Sequence, residues 1–252
     1  MISVVILTKN VSRTIDKTLY STRDFDEVII YDNGSVDNTL EIAKKYRNVK
    51  IFTSEFIGFG PLRNEACKKA KNNWILALDS DEVLSDELIN EILNLKLDDN
   101  NIYSIKRDNY YKGKLINFAS WQSDIVKRLY NRKETSFLNK QVHETIDSKN
   151  LNIKILKNPI KHTPYQNISD FLKKMDKYST LFAKQNQNIK KASYFKAISH
   201  AIFTFFKCYI LKKGFLGKGI GFEISIYNAN TAFYKYLKLL EYNKRKKSEK
   251  QS

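Results

Sequence analysis

The sequence predicts an α/β protein with a mostly parallel sheet, flanking helices and a C-terminal helical appendage. Three observations predict this fold class. Four short apolar runs in the first hundred residues alternate with segments of helical periodicity. Further helical patterns, rich in aromatic residues, follow residue 166. The chain has 252 residues and is 42% apolar, which allows a sizeable core and excludes a disordered chain.

The four runs are continuous and rich in β-branched residues, which is typical of strands buried on both faces of a parallel sheet. They cover residues 2–7, 27–31, 49–52 and 74–78. Helices are expected between them and after the fourth, because capping or helix-opening residues precede each helical pattern. These residues are Ser12, Asp37, Pro61 and Ser85.

The C-terminal region predicts three helices, over 167–184, 193–211 and about 222–242. Ser169 is the expected cap of the first, and a glycine-rich turn at 214–221 precedes the third. Residues 101–252 hold 31 basic and 10 acidic groups, whereas residues 1–100 hold 13 and 17. This excess of positive charge favours an anionic partner, and a solvated lysine-rich surface is the alternative.

Polar residues follow three of the predicted strands, where α/β sheets bind ligands. Asp79 and Asp81 lie one residue apart after the fourth strand, so both carboxylates can approach one Mg²⁺ or Mn²⁺ ion. The alternative is that the acids simply begin the next helix. Asp32 is suited to accept hydrogen bonds from a base or ribose, or only closes its turn. Arg63 is suited to bind a diphosphate, or pairs with a surface acid.

The ordered segments VVILTKN, IIYDNGSVDNT, GPLRNEA and ILALDSDE resemble the family 2 glycosyltransferases, which have a GT-A type, Rossmann-like fold. The resemblance is strongest over about residues 1–95. It extends more loosely to ASWQSDIVKRLY and NKQVHETI, which resemble the branch that builds lipopolysaccharide or lipooligosaccharide cores. It implies a catalytic domain over 1–165, with a nucleotide-sugar half (1–95) and an acceptor-side half (96–165). Residues 166–242 are expected to form the helical region and 243–252 a basic, disordered tail.

The resemblance also implies a UDP-sugar donor and transfer of glucose or another hexose with inversion of the anomeric carbon. The donor-binding residues would then be Thr8, Asn10, Asp32, Arg63, Asp79 and Ser80. Asp81 would be the direct ligand of Mg²⁺ or Mn²⁺, with Asp79 near the ribose or the metal.

An inverting transfer needs a general base on the acceptor side. Glu144 is favoured because VHE resembles the core-glucosyltransferase motif, and Asp124 is the alternative. Four further residues are candidates for contacts with the acceptor or a phosphate: Trp121, Arg128, His143 and His162. Each has an alternative role. Trp121 would be a core residue and Arg128 would form an ion pair with Asp124. His143 would be a loop histidine without a role, and His162 would be a turn residue beside Pro164.

The expected acceptor is a core-oligosaccharide glycolipid, and the basic C-terminal helices are expected to attach to an anionic membrane. The alternative is that these helices pack on the catalytic domain or on a second subunit, as in a homodimer. Two cysteines and no recognisable secretory signal favour a cytoplasmic enzyme at the inner face of the membrane. The alternatives are a basic nucleic-acid-binding module, disfavoured by carboxylates at the sheet edge, and a transferase acting on another surface glycan. A nucleotidyltransferase is disfavoured because that class needs a glycine-rich phosphate loop after the first strand, and the segment TKNVSR at this place lacks glycine.

Overall fold

The computed structural model describes residues 1–139 and 144–248, which form two compact units. The first unit comprises Met1–Asp108 and Ser123–Thr163. The second comprises Asn109–Gln122 and the described residues from Pro164 onward. Residues 109–122 therefore group with the C-terminal helices, whereas the sequence assigned them to the acceptor-side half.

The first unit is built on a mixed sheet. The strands of the described chain are β1 (Ile2–Thr8), β2 (Glu27–Asp32), β3 (Val49–Thr53), β4 (Trp74–Asp79), β5 (Glu82–Leu84), β6 (Asn101–Tyr111, whose end enters the second unit), β7 (Lys114–Leu115, in the second unit), β8 (Asp124–Asn131), β9 (Asn152–Ile155) and β10 (Ile160–His162). The order is β3-β2-β1-β4-β8-β6-β10-β5, with β7 and β9 also paired to β6. β1 to β4 are parallel, and β8 joins β4 in antiparallel orientation.

The described residues of the first unit form four helices: α1 (Ile15–Ser21), α2 (Thr39–Ala43), α3 (Phe59–Lys68) and α4 (Asp86–Leu93). Two apolar clusters of buried residues include β1, β2 and β4, whose side chains alternate between them; Val4 and Ile6 belong to one cluster and Val5 to the other. The inner strands are thus buried on both faces, which explains their unbroken apolar sequence.

The four predicted strands are confirmed, and each extends one residue further than its apolar run. The added residues are Thr8, Asp32, Thr53 and Asp79. Parallel ladder hydrogen bonds use only the backbone, so a polar residue continues a strand where the neighbouring strand still offers partners. Ser85 caps α4 as expected, since its side chain accepts a hydrogen bond from the Leu88 amide.

The second unit contains α5 (Ile168–Asn186), α6 (Tyr194–Phe206) and α7 (Lys218–Ser248), with a π-helical turn at Lys207–Leu211 and a 3₁₀ turn at Gly214–Gly217. None of the helices in the described part of the chain combines the length and apolarity that crossing a bilayer requires.

Three expectations for this region need correction. Asn167, not Ser169, caps α5, because its side chain accepts from the Asp170 amide. α7 begins at Lys218, within the glycine-rich segment, because Gly221 packs directly on Gly214; a Cβ at Gly221 would lie 1.7 Å from the Gly214 carbonyl oxygen. α7 also continues past 242 to Ser248, since no glycine or proline interrupts residues 243–248.

Candidate active site

The loop after β2 is organised around the carboxylate of Asp32. Thr8 donates its hydroxyl to Asp32 Oδ1 at 2.9 Å, and the amides of Gly34 and Ser35 donate to Oδ2 at 2.9 and 2.8 Å. Ser35 Oγ adds a fourth hydrogen bond at 2.5 Å. Asp32 is buried, and the four donors explain how its charge is tolerated there. The structure thus shows the turn-closing role of Asp32, and contact with a base stays a prediction.

Asn10 joins the loops after β1 and β2. Its backbone adopts a φ of 53°, in the left-handed region that asparagine tolerates better than most residues. Its amide donates to Ser35 Oγ and its side-chain Oδ1 accepts from the Val36 amide, each at 2.8 Å. These contacts hold Thr8, Asn10 and the Asp32 turn together at one end of the parallel strands.

Asp79, at the end of β4, is bound by arginines. Arg63 of α3 donates to Asp79 Oδ1, and Arg128 of β8 donates to Oδ2 at 2.5 Å. Arg107 of β6 lies 3.7 Å from Oδ2. Burial alone would raise the pKa of Asp79, but the charges of the three arginines outweigh it and hold the pKa well below its usual range.

Arg63 is almost completely buried, with an exposure of 2%. Besides Asp79, it donates to the carbonyl oxygens of Val5 at 3.2 Å and of Leu78 at 2.7 Å. In this structure the guanidinium therefore fastens α3 to β1 and β4, which differs from both the predicted diphosphate contact and the alternative surface pair. Its Nε atom is buried without a hydrogen-bond partner among the described residues.

Glu82, which is not among the site residues predicted from the sequence, completes this network of Arg63, Arg107 and Arg128 around Asp79. It is fully buried and accepts from the Asp79 amide at 3.0 Å, from Arg128, and from Arg107 at 3.4 Å. Burial raises the pKa of Glu82, against the effect of Arg128. The available signal was an acidic residue directly following Asp79-Ser80-Asp81, where the start of the next helix was the alternative role for the acids.

Asp81 faces a histidine. Its Oδ1 lies 3.5 Å from Nε2 of His162, and the Thr163 amide donates to the Asp81 carbonyl at 3.1 Å. Antiparallel pairing of β5 with β10, in which His162 is opposite Glu82, brings the two side chains together. Neighbouring Ser80 is partly buried, and its carbonyl accepts from Thr18 Oγ1 at 3.1 Å.

A divalent cation fits part of this arrangement. A carboxylate and an imidazole are suitable ligands, and substrate phosphate and water commonly complete such a coordination shell. In the described part of the chain, however, no three His, Cys, Asp or Glu side chains converge on one site. Each oxygen of Asp79 is already bound by an arginine, so its predicted role as a second metal ligand is not supported, and Asp81 with His162 forms the candidate pair.

Asp124 binds Arg107 through two hydrogen bonds, Nε to Oδ1 at 3.0 Å and Nη2 to Oδ2 at 2.7 Å. The alternative pair of Asp124 with Arg128 is wrong, because residues 124–131 form a strand. Four residues span about 13 Å along a strand, rather than the single turn that would bring them together on a helix. Arg128 instead binds the two carboxylates of the arginine network.

Glu144 is partly buried and lies two residues before Ile146, which pairs with Phe137 in an isolated β-bridge. The Phe137 ring lies 5.9 Å from the Arg63 guanidinium carbon, and Asn64 of α3 donates to the Phe137 carbonyl at 2.9 Å. The segment that carries Glu144 thus adjoins the middle of α3. His143 lies outside the described residues.

Trp121 belongs to the second unit. It stacks on Tyr165 with ring centres 4.8 Å apart, and it meets Phe171 and Tyr111 edge to face. Its surroundings are those of the core tryptophan that the sequence left as an alternative, and a sugar-stacking role stays a prediction.

The sequence matches the protein family described as "Glycosyl transferase family 2" over residues 3–158, more than half of the chain. The chain belongs to this family. Its mixed α/β architecture is of the GT-A type, as the resemblance implied.

Relatives extend this glycosyltransferase assignment along the chain. An uncharacterized glycosyltransferase of Rickettsia typhi is 32% identical over 256 residues, covering 95% of this chain and 87% of the relative. A poly(ribitol-phosphate) β-N-acetylglucosaminyltransferase, TarS of Staphylococcus aureus, is 35% identical over 100 residues, or 35% of this chain and 18% of that protein. A crystal structure of residues 1–349 of TarS with UDP-GlcNAc aligns with 99% of this glycosyltransferase and 91% of that chain, at 18% identity and a TM-score of 0.48.

Proposed function

We propose that this family 2 glycosyltransferase transfers a hexose, with inversion, from a UDP-sugar to a hydroxyl group of a lipooligosaccharide or lipopolysaccharide core. The observation that carries the proposal is the pairing of Asp81 with His162 beside the arginine network. Divalent metal and diphosphate are the ligands that such a site suits.

The donor side of the proposal rests on charge. Asp79, Glu82 and Asp124 face three guanidinium groups, those of Arg63, Arg107 and Arg128, so the network is neutral when all three acids are ionised. A diphosphate beside it would therefore meet no uncompensated carboxylate of the network, and a bound divalent cation would supply the electrostatic attraction. The Asp32 turn and Asn10, which form the end of β1 and β2, are proposed to receive the uridine.

Asp81 and His162 are the proposed holders of Mg²⁺ or Mn²⁺. When bound there, the ion would supply charge stabilisation for the departing diphosphate. Arg63 and Arg128 bind the carboxylate of Asp79 from two sides and so fix this residue, which lies two positions before Asp81. This gives Asp81 a defined position at the loop, because the backbone just before it cannot shift without breaking those bonds.

Glu144 is the proposed general base. Its carboxylate would accept the proton of the acceptor hydroxyl as that oxygen bonds to the anomeric carbon. The bond from this carbon to the diphosphate oxygen breaks in the same step, and UDP departs with the electron pair. A single displacement of this kind inverts the anomeric centre. Asp124 is a weaker candidate because both of its oxygens already bind Arg107.

The acceptor is proposed from the resemblance to the branch that builds lipopolysaccharide or lipooligosaccharide cores, and the cellular setting from the positive charge of residues 101–252. The enzyme is proposed to act on a core glycolipid at the cytoplasmic face of an anionic membrane. Transfer to another surface glycan is the second candidate, because the name of the relative TarS specifies a poly(ribitol-phosphate) acceptor. A nucleic-acid partner is not favoured, since Asp32, Asp79 and Asp81 occupy the sheet edge.

A thermal-shift experiment tests the donor site. Mn²⁺ with UDP-glucose, each at about a hundredfold excess over its Kd, is expected to raise the Tm of the wild-type protein by about 5–10 °C. Asp81→Ala and His162→Ala should each remove the metal-dependent part of the rise. Asp86→Ala, an exposed acid five residues further on, is the matched control and should keep it.

If the Asp81→Ala protein retains the full metal-dependent rise, the proposed metal site is wrong. A screen of UDP-glucose, UDP-galactose and their N-acetyl analogues, read by UDP release, then identifies the donor. Absence of UDP release with every donor and a glycolipid core acceptor would contradict the proposed transfer.

A further inference from the structure

The outer face of α6 in the second unit is apolar and exposed. Phe195, Ile198, Ile202 and Phe206 lie at intervals of three or four residues, so they form one stripe along the helix. Their exposures are 82%, 51%, 54% and 58%. An exposed stripe of this size is unusual on a globular protein and marks an interaction surface.

The opposite face of α6 is the one that packs on α7, and it carries smaller or more polar groups. Ala197 is fully buried, and His200 stacks on Tyr236 of α7 with ring centres 4.3 Å apart. The helix is therefore inverted relative to an ordinary surface helix, which buries its large apolar side chains and exposes polar ones. The exposed stripe is not needed for the packing of α6 within the unit.

The apolar surface continues beyond the helix. Leu211 is 72% exposed at the end of the π-helical turn, and Leu216 in the next turn is 63% exposed. We call the α6 stripe together with Leu211 and Leu216 the α6 surface. The stripe alone extends over 12 residues from Phe195 to Phe206, or about 16 Å of helix.

Positive charge adjoins the α6 surface at the C-terminal end of the helix. Residues 177–222 contain nine lysines and neither aspartate nor glutamate. Lys207, Lys213 and Lys218 are exposed at the end of α6 and in the turns that follow. The same segment therefore offers apolar side chains for insertion and cations for a negatively charged layer.

We infer that the α6 surface is the membrane-binding surface of this protein and lies in the interface of an anionic lipid bilayer, with α6 in the membrane plane. An in-plane helix inserts its apolar face at the boundary of headgroups and acyl chains, and lysines contact acidic headgroups. A second copy of the chain is the less favourable occupant, because it would bring two acid-free, lysine-rich segments together. This inference deepens the membrane setting of the proposed function.

Vesicle co-sedimentation tests the inference. The full-length protein is expected to bind phosphatidylglycerol–phosphatidylcholine vesicles and to bind pure phosphatidylcholine vesicles much more weakly. Raising the salt from about 0.1 M to about 1 M shortens the Debye length from about 10 Å to about 3 Å and should weaken binding. The double variant Phe195→Gln/Ile202→Gln should bind at least about tenfold more weakly.

Two further variants make the test specific. Lys207→Gln/Lys213→Gln should lose about fivefold for each lysine removed and should depend less on salt. Ile155→Thr, at an edge strand of the first unit, is the control because Ile155 is as exposed as Phe206, at 58% each. Its vesicle binding should equal that of the wild type. Circular dichroism should show unchanged melting for all three variants, since the altered side chains are exposed.

Equal vesicle binding by the wild type and Phe195→Gln/Ile202→Gln would overturn the inference. So would a dimer of the wild type in analytical ultracentrifugation without lipid that this variant abolishes, because the surface would then join two copies. Binding is measured without donor or acceptor, so its failure leaves the proposed transfer chemistry standing. Loss of UDP release with intact vesicle binding would count against the chemistry alone.

Discussion

Arg128 of β8 donates a 2.5 Å hydrogen bond to Oδ2 of Asp79 at the end of β4, across two strands that pair in antiparallel orientation. The same guanidinium nitrogen also binds buried Glu82. One arginine thus bridges two acids that the sequence places three residues apart. The shape of the loop that carries Asp81 depends on this contact.

Replacing Arg128 with methionine should destabilise the protein by about 3 kcal/mol, because fully buried Glu82 and partly buried Asp79 would each lose a charged partner. Urea unfolding measures the change. Lys71→Met is the control, since Lys71 pairs with Asp26 through side chains that are 48% and 29% exposed. That pair should contribute no more than about 1 kcal/mol. Comparable losses in both variants would show that the Arg128 contacts stabilise the fold no more than a surface pair does.

Asp37 should make stability depend on pH in the acid range. Burial would raise its pKa, but hydrogen bonds from Thr39 and Ser12 outweigh burial and lower the pKa to about 2. A folded-state pKa below the unfolded value of about 3.9 stabilises the protein above pH 4. This contribution is lost as the pH falls from about 4 to about 2. Melting curves of the wild type and Asp37→Asn should therefore differ at pH 6 and converge near pH 2. A difference that persists unchanged at pH 2 would contradict the assignment.

Glu144→Gln should lower kcat by about 10²–10⁴-fold while UDP binding is retained, because it removes the proposed proton acceptor and keeps the shape of the side chain. Single-turnover transfer and UDP titration measure the two effects. Asp124→Asn is the matched comparison: it should reduce kcat much less, since Asp124 is bound to Arg107. The reverse order of effects would assign the base to Asp124.

Gly221→Ala should strongly destabilise the protein. A Cβ at this position would lie 1.7 Å from the carbonyl oxygen of Gly214, so backbone must move to admit it. Gly219→Ala, two residues earlier in α7, meets no atom within 4 Å and should stabilise the helix by up to about 1 kcal/mol. Thermal melting of the pair gives the comparison, and opposite signs are expected. A Gly221→Ala protein as stable as the wild type would show that the 3₁₀ turn at Gly214 and the first turn of α7 are not packed as described.

The parallel strands could be predicted from sequence because their burial on both faces leaves an unbroken apolar run. The Ser85 cap was readable for a similar reason, since the interaction is local. The arginine network could not be predicted from sequence, because Arg107 and Arg128 lie 28 and 49 residues after Asp79. No local sequence pattern indicates which strands will be neighbours. Helical spacing identified α6, but only the packing of Ala197 and His200 on α7 shows which face is left outside.

The buried position of Glu82 constrains when its loop can fold during synthesis of the chain. Asp79 and Glu82 are translated before Arg107 and Arg128, so the growing N-terminal segment at first holds both acids with only Arg63 of the network to oppose them. A carboxylate resists burial until its cations arrive. The loop that carries Asp81 can therefore reach its final shape only after β8 has emerged, and donor binding should mature late in translation although most of its residues are made first.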